Sequence, residues 1–147
     1  MNPTEARRTF GDVRVAHVAT VDLSGAPHVV PLWFVWLEDG LFVTCRSGSR
    51  TVRNLRRDPR VAVELDRGRT WADAACLVVH GRAELLPPTH PDGRRALSAW
   101  FEKYREELSG QSFALYAQEV EDPVLLRVRT DRLTAWLGGR GRPARPD

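Results

Sequence analysis

Two short turn signals, each set between runs of alternating apolar residues, place the tightest limit on how this chain folds. Arg14–Asp22 (RVAHVATVD) alternates β-branched with small or polar residues, as a half-buried strand does. Leu23-Ser24-Gly25-Ala26 then supplies turn chemistry, and Pro27–Leu37 (PHVVPLWFVWL) follows as a second strand. Glu38-Asp39-Gly40 is another turn, because Asp and Gly reach the backbone conformations that tight hairpins need, and Leu41–Cys45 makes a third strand. Connections this short leave no room for a crossover, so the three strands must pair antiparallel.

The period changes after that meander. Ser49–Asp58 places Val52, Leu55 and the stems of Arg53 and Arg56 at helical spacing, and Asp58-Pro59 stops the helix. Arg60–Asp66 returns to strand. Cys76–Leu86 is a longer strand with Gly81 at a bulge or a close approach, ended by Pro87-Pro88. Ala96, Leu97, Trp100, Phe101 and Tyr104 set a helix over Pro91–Leu108. Residues 109–122 read as a polar loop with a short helix near Phe113–Gln118. Val124–Arg129 and Leu133–Leu137 read as two strands around a Thr130-Asp131 turn. A short helix over residues 3–12, with Thr4 as its N-cap, precedes the first strand.

About seven strands and two or three helices result. The expected fold is mainly β (α+β), a small antiparallel barrel with helices packed outside, since a sheet curled shut leaves no edge exposed. One domain is expected over residues 1–137, with the Gly-, Pro- and Arg-rich residues 138–147 as a disordered tail.

Several function classes drop out. No apolar run approaches the ~20 residues that span a bilayer, and MNPTEARRTF lacks the apolar centre of a signal peptide. A cytoplasmic chain with no membrane partner is expected, with Cys45 and Cys76 as free thiols. The net charge is +3, and Lys103 is the one lysine among otherwise Arg-only cations. The Arg runs are interrupted by Asp58, Glu64 and Asp66 and do not alternate with stacking aromatics, so no nucleic acid is expected as partner. His17 and His28 lie on adjacent strands without a Cys or carboxylate at zinc-like spacing, so no metal is expected. His80 reads as a structural histidine. No G-x-S-x-G elbow, Walker A motif, G-x-G-x-x-G or paired-carboxylate constellation is present.

Ser49-Arg50-Thr51-Val52-Arg53-Asn54 points to a ligand. A helix start offers unpaired backbone N–H groups and a positive dipole end, and Arg adds planar bidentate donors, so a phosphate group fits there. The aromatics Trp33, Phe34 and Trp36 share one strand, on which Trp33 and Phe34 point to opposite faces. One set fills the core; the other calls for cover by a subunit partner or a flat ligand.

Taken together, VATVDLSGAPHVVPLWF, SRTVRNLRRDPRVAV and HGRAEL, in that order, resemble the pyridoxamine-5′-phosphate-oxidase-like split-barrel flavoproteins. Within them the chain is most similar to the short F420- or FMN-dependent oxidoreductases, over about residues 10–137. The resemblance implies a homodimer of split β-barrels with F420 or FMN at the interface, and hydride transfer to a small, planar or unsaturated substrate. It implies that His28, Val30, Pro31, Leu32 and Trp33 line the ring system. Thr44, Ser47, Ser49, Arg50 and Thr51 would hold the phosphate, with Arg53 and Asn54 close by. Thr51 stands where members often carry Lys; its hydroxyl still donates, and Arg46 or Arg50 can restore the missing charge. Absence of an acid–base pair fits an enzyme whose cofactor carries the hydride chemistry. The alternative is a non-catalytic flavin- or haem-binding split barrel.

Overall fold

The computed structural model describes residues 1–109 and 122–138. The short helix expected near Phe113–Gln118 and the tail from residue 139 onward lie outside the described residues. Three helices are described, α1 (Pro3–Phe10), α2 (Arg50–Arg57) and α3 (Pro91–Lys103). Seven strands form one sheet: β1 (Ala16–Val21), β2 (Pro27–Leu32), β3 (Phe34–Leu37), β4 (Gly40–Arg46), β5 (Arg60–Arg67), β6 (Ala75–Leu86) and β7 (Pro123–Leu137). No described helix is long and apolar enough to cross a membrane.

The strand order across the sheet is β2-β1-β5-β6-β7-β4-β3, with every neighbouring pair antiparallel. β2 and β3 are consecutive in the sequence yet occupy opposite ends of that order. The sheet is therefore curled, and its two ends are joined through Trp33. The run expected as one strand over Pro27–Leu37 is thus two. β3 pairs with β4 from Phe34↔Val43 to Leu37↔Gly40. Extended past Phe34, that register would set Leu32 opposite Cys45, but the chain swings away at Trp33 and β2 pairs along its whole length with β1.

Two prolines explain why the barrel stays open there. Proline has no N–H to give to a ladder, so in a paired strand its nitrogen faces the free edge. Pro27 and Pro31 in β2 thereby remove two edge donors that a closed ladder to β4 would need. β2 remains an edge strand, and Thr44–Arg46 of β4, beyond the end of β3, keeps a free edge of its own.

The other end of the chain differs in the opposite sense. The two strands expected around Thr130-Asp131 are one strand, β7, which pairs with β6 from Ala75↔Leu137 to Leu86↔Leu125. Gly81 pairs with Thr130 while His80 pairs with Arg132, so Asp131 is the extra residue of a β-bulge and not a turn. A Cβ on Gly81 would run into the Arg129 carbonyl, which is why glycine stands at the bulge.

Strand alternation sorts the barrel interior from its outside. Ala16 and Val18 of β1, Val61, Val63 and Leu65 of β5, and Leu77 and Val79 of β6 point inward with Phe34, Leu41 and Val43. A second apolar cluster, built from Val35, Phe42, Leu86 and Leu125, receives α3 through Ala96 and Trp100. α3 ends five residues earlier than expected, but Tyr104 and Leu108 beyond it stay buried in the same cluster. α1 is capped by Asn2 and not Thr4, through a capping box with Glu5 and with Pro3 in the first turn.

Candidate functional site

The opening between β2 and β4 is a cavity of about 1030 Å³. One wall is β2, whose half-buried His28, Val30 and Leu32 face it together with Pro31. The opposite wall is the end of β4, with Thr44, Cys45 and Arg46. Trp33 closes one end at the corner where the two sheet ends join, and Gly48, Ser49, Arg50 and Thr51 bring the start of α2 to the other.

The start of α2 is set up to receive an anion. Ser49 is the N-cap, and its hydroxyl accepts from the Val52 N–H at 3.3 Å. That leaves the Arg50 and Thr51 N–H groups, which have no partner inside the helix. The exposed guanidinium groups of Arg46 and Arg50 stand at the mouth, and no Asp or Glu lines the cavity. Helix dipole and side chains thus carry the same sign. Burial pushes the Cys45 thiol up to about 12, so it faces the cavity as a neutral thiol.

The sheet supplies the complementary half. Across the gap from α2, the free edges of β2 and β4 offer unpaired backbone groups in a slot walled by Val30, Leu32 and Trp33. A flat heterocycle with polar atoms on its rim fits such a slot: its faces meet apolar side chains and its edge meets backbone donors and acceptors.

Residues expected here from the sequence fall into two groups. His28, Val30, Pro31, Leu32, Trp33, Thr44, Ser49, Arg50 and Thr51 all line the cavity. Ser47, Arg53 and Asn54 do not. Ser47 donates from its hydroxyl to the Asp122 carboxylate at 2.7 Å and from its N–H to the Asp122 carbonyl at 3.0 Å, tying the β4–α2 connection to the start of β7. Asn54, 3 % exposed, donates from Nδ2 to the buried Thr20 hydroxyl at 3.0 Å. It therefore docks α2 on β1 and aims the helix start, while Arg53 points to solvent. Cys45 and Gly48 complete the lining; the position of each next to an expected residue was the available signal.

Trp33 is held from behind. Tyr104 stacks on it with ring centroids 4.4 Å apart and planes 12° apart. The Tyr104 hydroxyl accepts from the Phe34 N–H at 3.1 Å and donates to the Arg14 carbonyl at 2.7 Å. Lys103 donates to the Val13 and Phe34 carbonyls at 2.7 and 3.0 Å, with its ammonium 3.6 Å from the Phe34 ring centroid. Burial, reinforced by the nearby Arg14 charge, brings the Lys103 amine down to about 7. These two residues clip the corner of the barrel that carries Trp33, and the sequence gave no sign of them beyond an apolar helix face.

The family described as Pyridoxamine 5'-phosphate oxidase matches residues 3–137, and the chain belongs to it. No curated protein matches the sequence. Among solved structures, the chain is similar to HutZ, the heme storage protein from Vibrio cholerae, with a TM-score of 0.71, 21% identity, and coverage of 95% of this chain and 96% of that one. It is similar to a FAD-binding protein from Mesorhizobium loti, with a TM-score of 0.68, 21% identity, and coverage of 92% and 94%. It is also similar to an F420 reductase, with a TM-score of 0.65, 24% identity, and coverage of 87% and 94%. At these identities the likeness establishes the shared split-barrel fold.

Proposed function

We propose that the cavity between β2 and β4 binds a phosphate-bearing, flavin-type cofactor, F420 or FMN, and that the chain is an oxidoreductase acting on a small planar or unsaturated substrate. The observation that carries this reading is the pairing, in one cavity, of a helix start flanked by Arg46 and Arg50 with two free strand edges beside Trp33. The phosphate belongs at the Arg50 and Thr51 N–H groups, and the ring system belongs between Trp33 and the β2 wall. The cavity volume suits a ligand of that size.

When bound, such a cofactor supplies hydride transfer itself. The chain's residues anchor the phosphate, fix the ring against β2, and exclude water with Val30, Leu32 and Trp33. None of them has to act as acid or base, in keeping with a lining whose thiol stays protonated. The reading extends to a cytoplasmic homodimer. The outward face of β2, β1 and β5 carries Val29, Ala19 and Ala62 side by side, with Val29 58 % exposed, and a second copy covers such a face well. Substrate selection falls to the loop over residues 68–74, where Trp71 is exposed beside Trp136.

A second reading, a non-catalytic haem- or flavin-binding barrel, is favoured by His28, whose imidazole lies in the cavity wall, and by the fold shared with HutZ. Titration of the purified protein with F420, FMN and haem separates the two. Saturable binding of F420 or FMN, read by fluorescence quenching or by the flavin spectrum, supports the oxidoreductase. Haem binding with neither of the others removes it.

A further inference from the structure

Away from the cavity, on the outward face of the sheet, three strands bring together a set of metal-ligand side chains that no linear spacing reveals. His17 of β1 pairs in register with Glu64 of β5, and Asp66, two residues further along β5 on the same face, pairs with Cys76 of β6. The four side chains therefore occupy the corners of a cross-strand square. Ligand atoms of His17, Glu64 and Asp66 all lie within 4.8 Å of one another. His17 Nδ1 is 2.9 Å from Glu64 Oε2, and Cys76 Sγ is 3.2 Å from Glu64 Oε1.

We propose that His17, Glu64, Asp66 and Cys76 form a binding site for a zinc-type divalent cation. The donor set is one imidazole nitrogen, one sulfur and two carboxylates, which matches the N/S/O preference of a borderline cation with tetrahedral coordination. Hard ions such as Mg²⁺ or Ca²⁺ call for oxygen ligands throughout and are disfavoured by the thiol and imidazole.

Charge pairing points the same way. The chain is rich in Arg, and acids elsewhere on its surface are matched by it: Asp12 by Arg67, Asp58 by Arg60, Glu84 by Arg127 and Arg129, Glu107 by Arg14. Glu64 and Asp66 have no Lys or Arg within ion-pair distance among the described residues. Their neighbours are instead an imidazole and a thiol, the two side chains that a transition-metal cation recruits. Half-exposure of His17 and Glu64 leaves an entry path from solvent.

The test uses chelator-treated full-length protein. It is titrated with Zn²⁺ against a chromogenic chelator, and in parallel with Co²⁺, whose visible spectrum reports coordination number and thiolate ligation. The expected result is stoichiometric, saturable binding, with a Co²⁺ spectrum of four-coordinate type and a sulfur charge-transfer band. Cys76→Ser abolishes that band. His17→Ala weakens Zn²⁺ binding by more than the ~100-fold typical of losing a supporting residue alone. Melting of both variants in chelator checks that they fold like the parent. Absence of stoichiometric binding in the parent, or binding that survives in the double variant His17→Ala/Cys76→Ser, overturns the proposal. No residue of this set lines the cavity, so the outcome is independent of the cofactor titration.

Discussion

Replacing Tyr104 by Phe isolates the hydroxyl that clips the barrel corner. The ring of Phe retains the stack on Trp33 and the burial in the α3 cluster, so the apolar contribution is unchanged to first order. Two hydrogen bonds are lost. The Phe34 N–H, on a residue with no exposed surface, loses its acceptor and is left buried without a partner; that desolvation costs about 1–3 kcal/mol. The Arg14 carbonyl belongs to an exposed residue and can turn to water, so its share is the ordinary net value of ~0.5–1.5 kcal/mol or less. The Phe34 carbonyl keeps Lys103 as donor and adds nothing. Tyr104→Phe should therefore destabilise by roughly 1.5–4 kcal/mol, measured by urea unfolding with an unchanged slope. Because the corner carries Trp33, cofactor affinity should fall as well, even though residue 104 does not line the cavity. A loss below about 0.5 kcal/mol, smaller than one ordinary hydrogen bond, would mean that the corner is held by α3 packing alone and would refute the clip.

Other perturbations probe other parts of the structure. Arg50→Ala removes a charge-assisted contact at the start of α2 and should weaken F420 or FMN binding ~10- to 100-fold, from about 1.5–3 kcal/mol; unchanged affinity in titration would place the phosphate elsewhere. Lys103 has its folded-state pKa lowered to about 7 from 10.5, so between those values the unfolded chain holds a proton that the folded chain does not. Stability should therefore rise with pH across that window in the parent and lack this increment in Lys103→Met, compared by melting over a pH series. Gly81→Ala drives a methyl group into the Arg129 carbonyl at the β6–β7 bulge. It should cost about 1–3 kcal/mol in denaturant unfolding, and a neutral effect would show that the bulge relaxes freely.

What the sequence disclosed and what it withheld follow from how local each cause is. The turn at Gly25, the Asp39-Gly40 hairpin and the helix from Ser49 depend on residues a few positions apart, and all are read directly. The candidate phosphate site was legible for the same reason: Ser49, Arg50 and Thr51 sit on one helix start next to Thr44 on the preceding strand. Asn54 and Ser47 were assigned to the ligand because their partners are remote. Asn54 reaches Thr20, 34 positions away, and Ser47 reaches Asp122, 75 positions away. The His17, Glu64, Asp66 and Cys76 set was invisible for the same cause, since strand register and not spacing assembles it. Thr130-Asp131 has turn chemistry but lies opposite Gly81, and a bulge uses the same residues as a turn.

The break at Trp33 had a local signal of a different kind. An unbroken apolar run from Pro27 to Leu37 reads as one strand, and its hydrophobic pattern carries no mark of a corner. Its prolines do. Pro27 and Pro31 share a parity, so both nitrogens face the same edge, and that edge cannot carry a ladder. Beyond Pro31 the run contains no proline, and β3 pairs fully with β4. One stretch of sequence thus specifies a strand unable to close the barrel followed by a strand that closes it. The cavity is the space between the point where pairing stops and the edge where it cannot begin. The same two residues that forbid a ladder leave the backbone groups of Thr44–Arg46 without a strand partner, which makes the gap a place for a ligand with a polar rim. The open side of the barrel is therefore a consequence of proline placement in β2, and the anion-binding start of α2 acquires its second half from that opening.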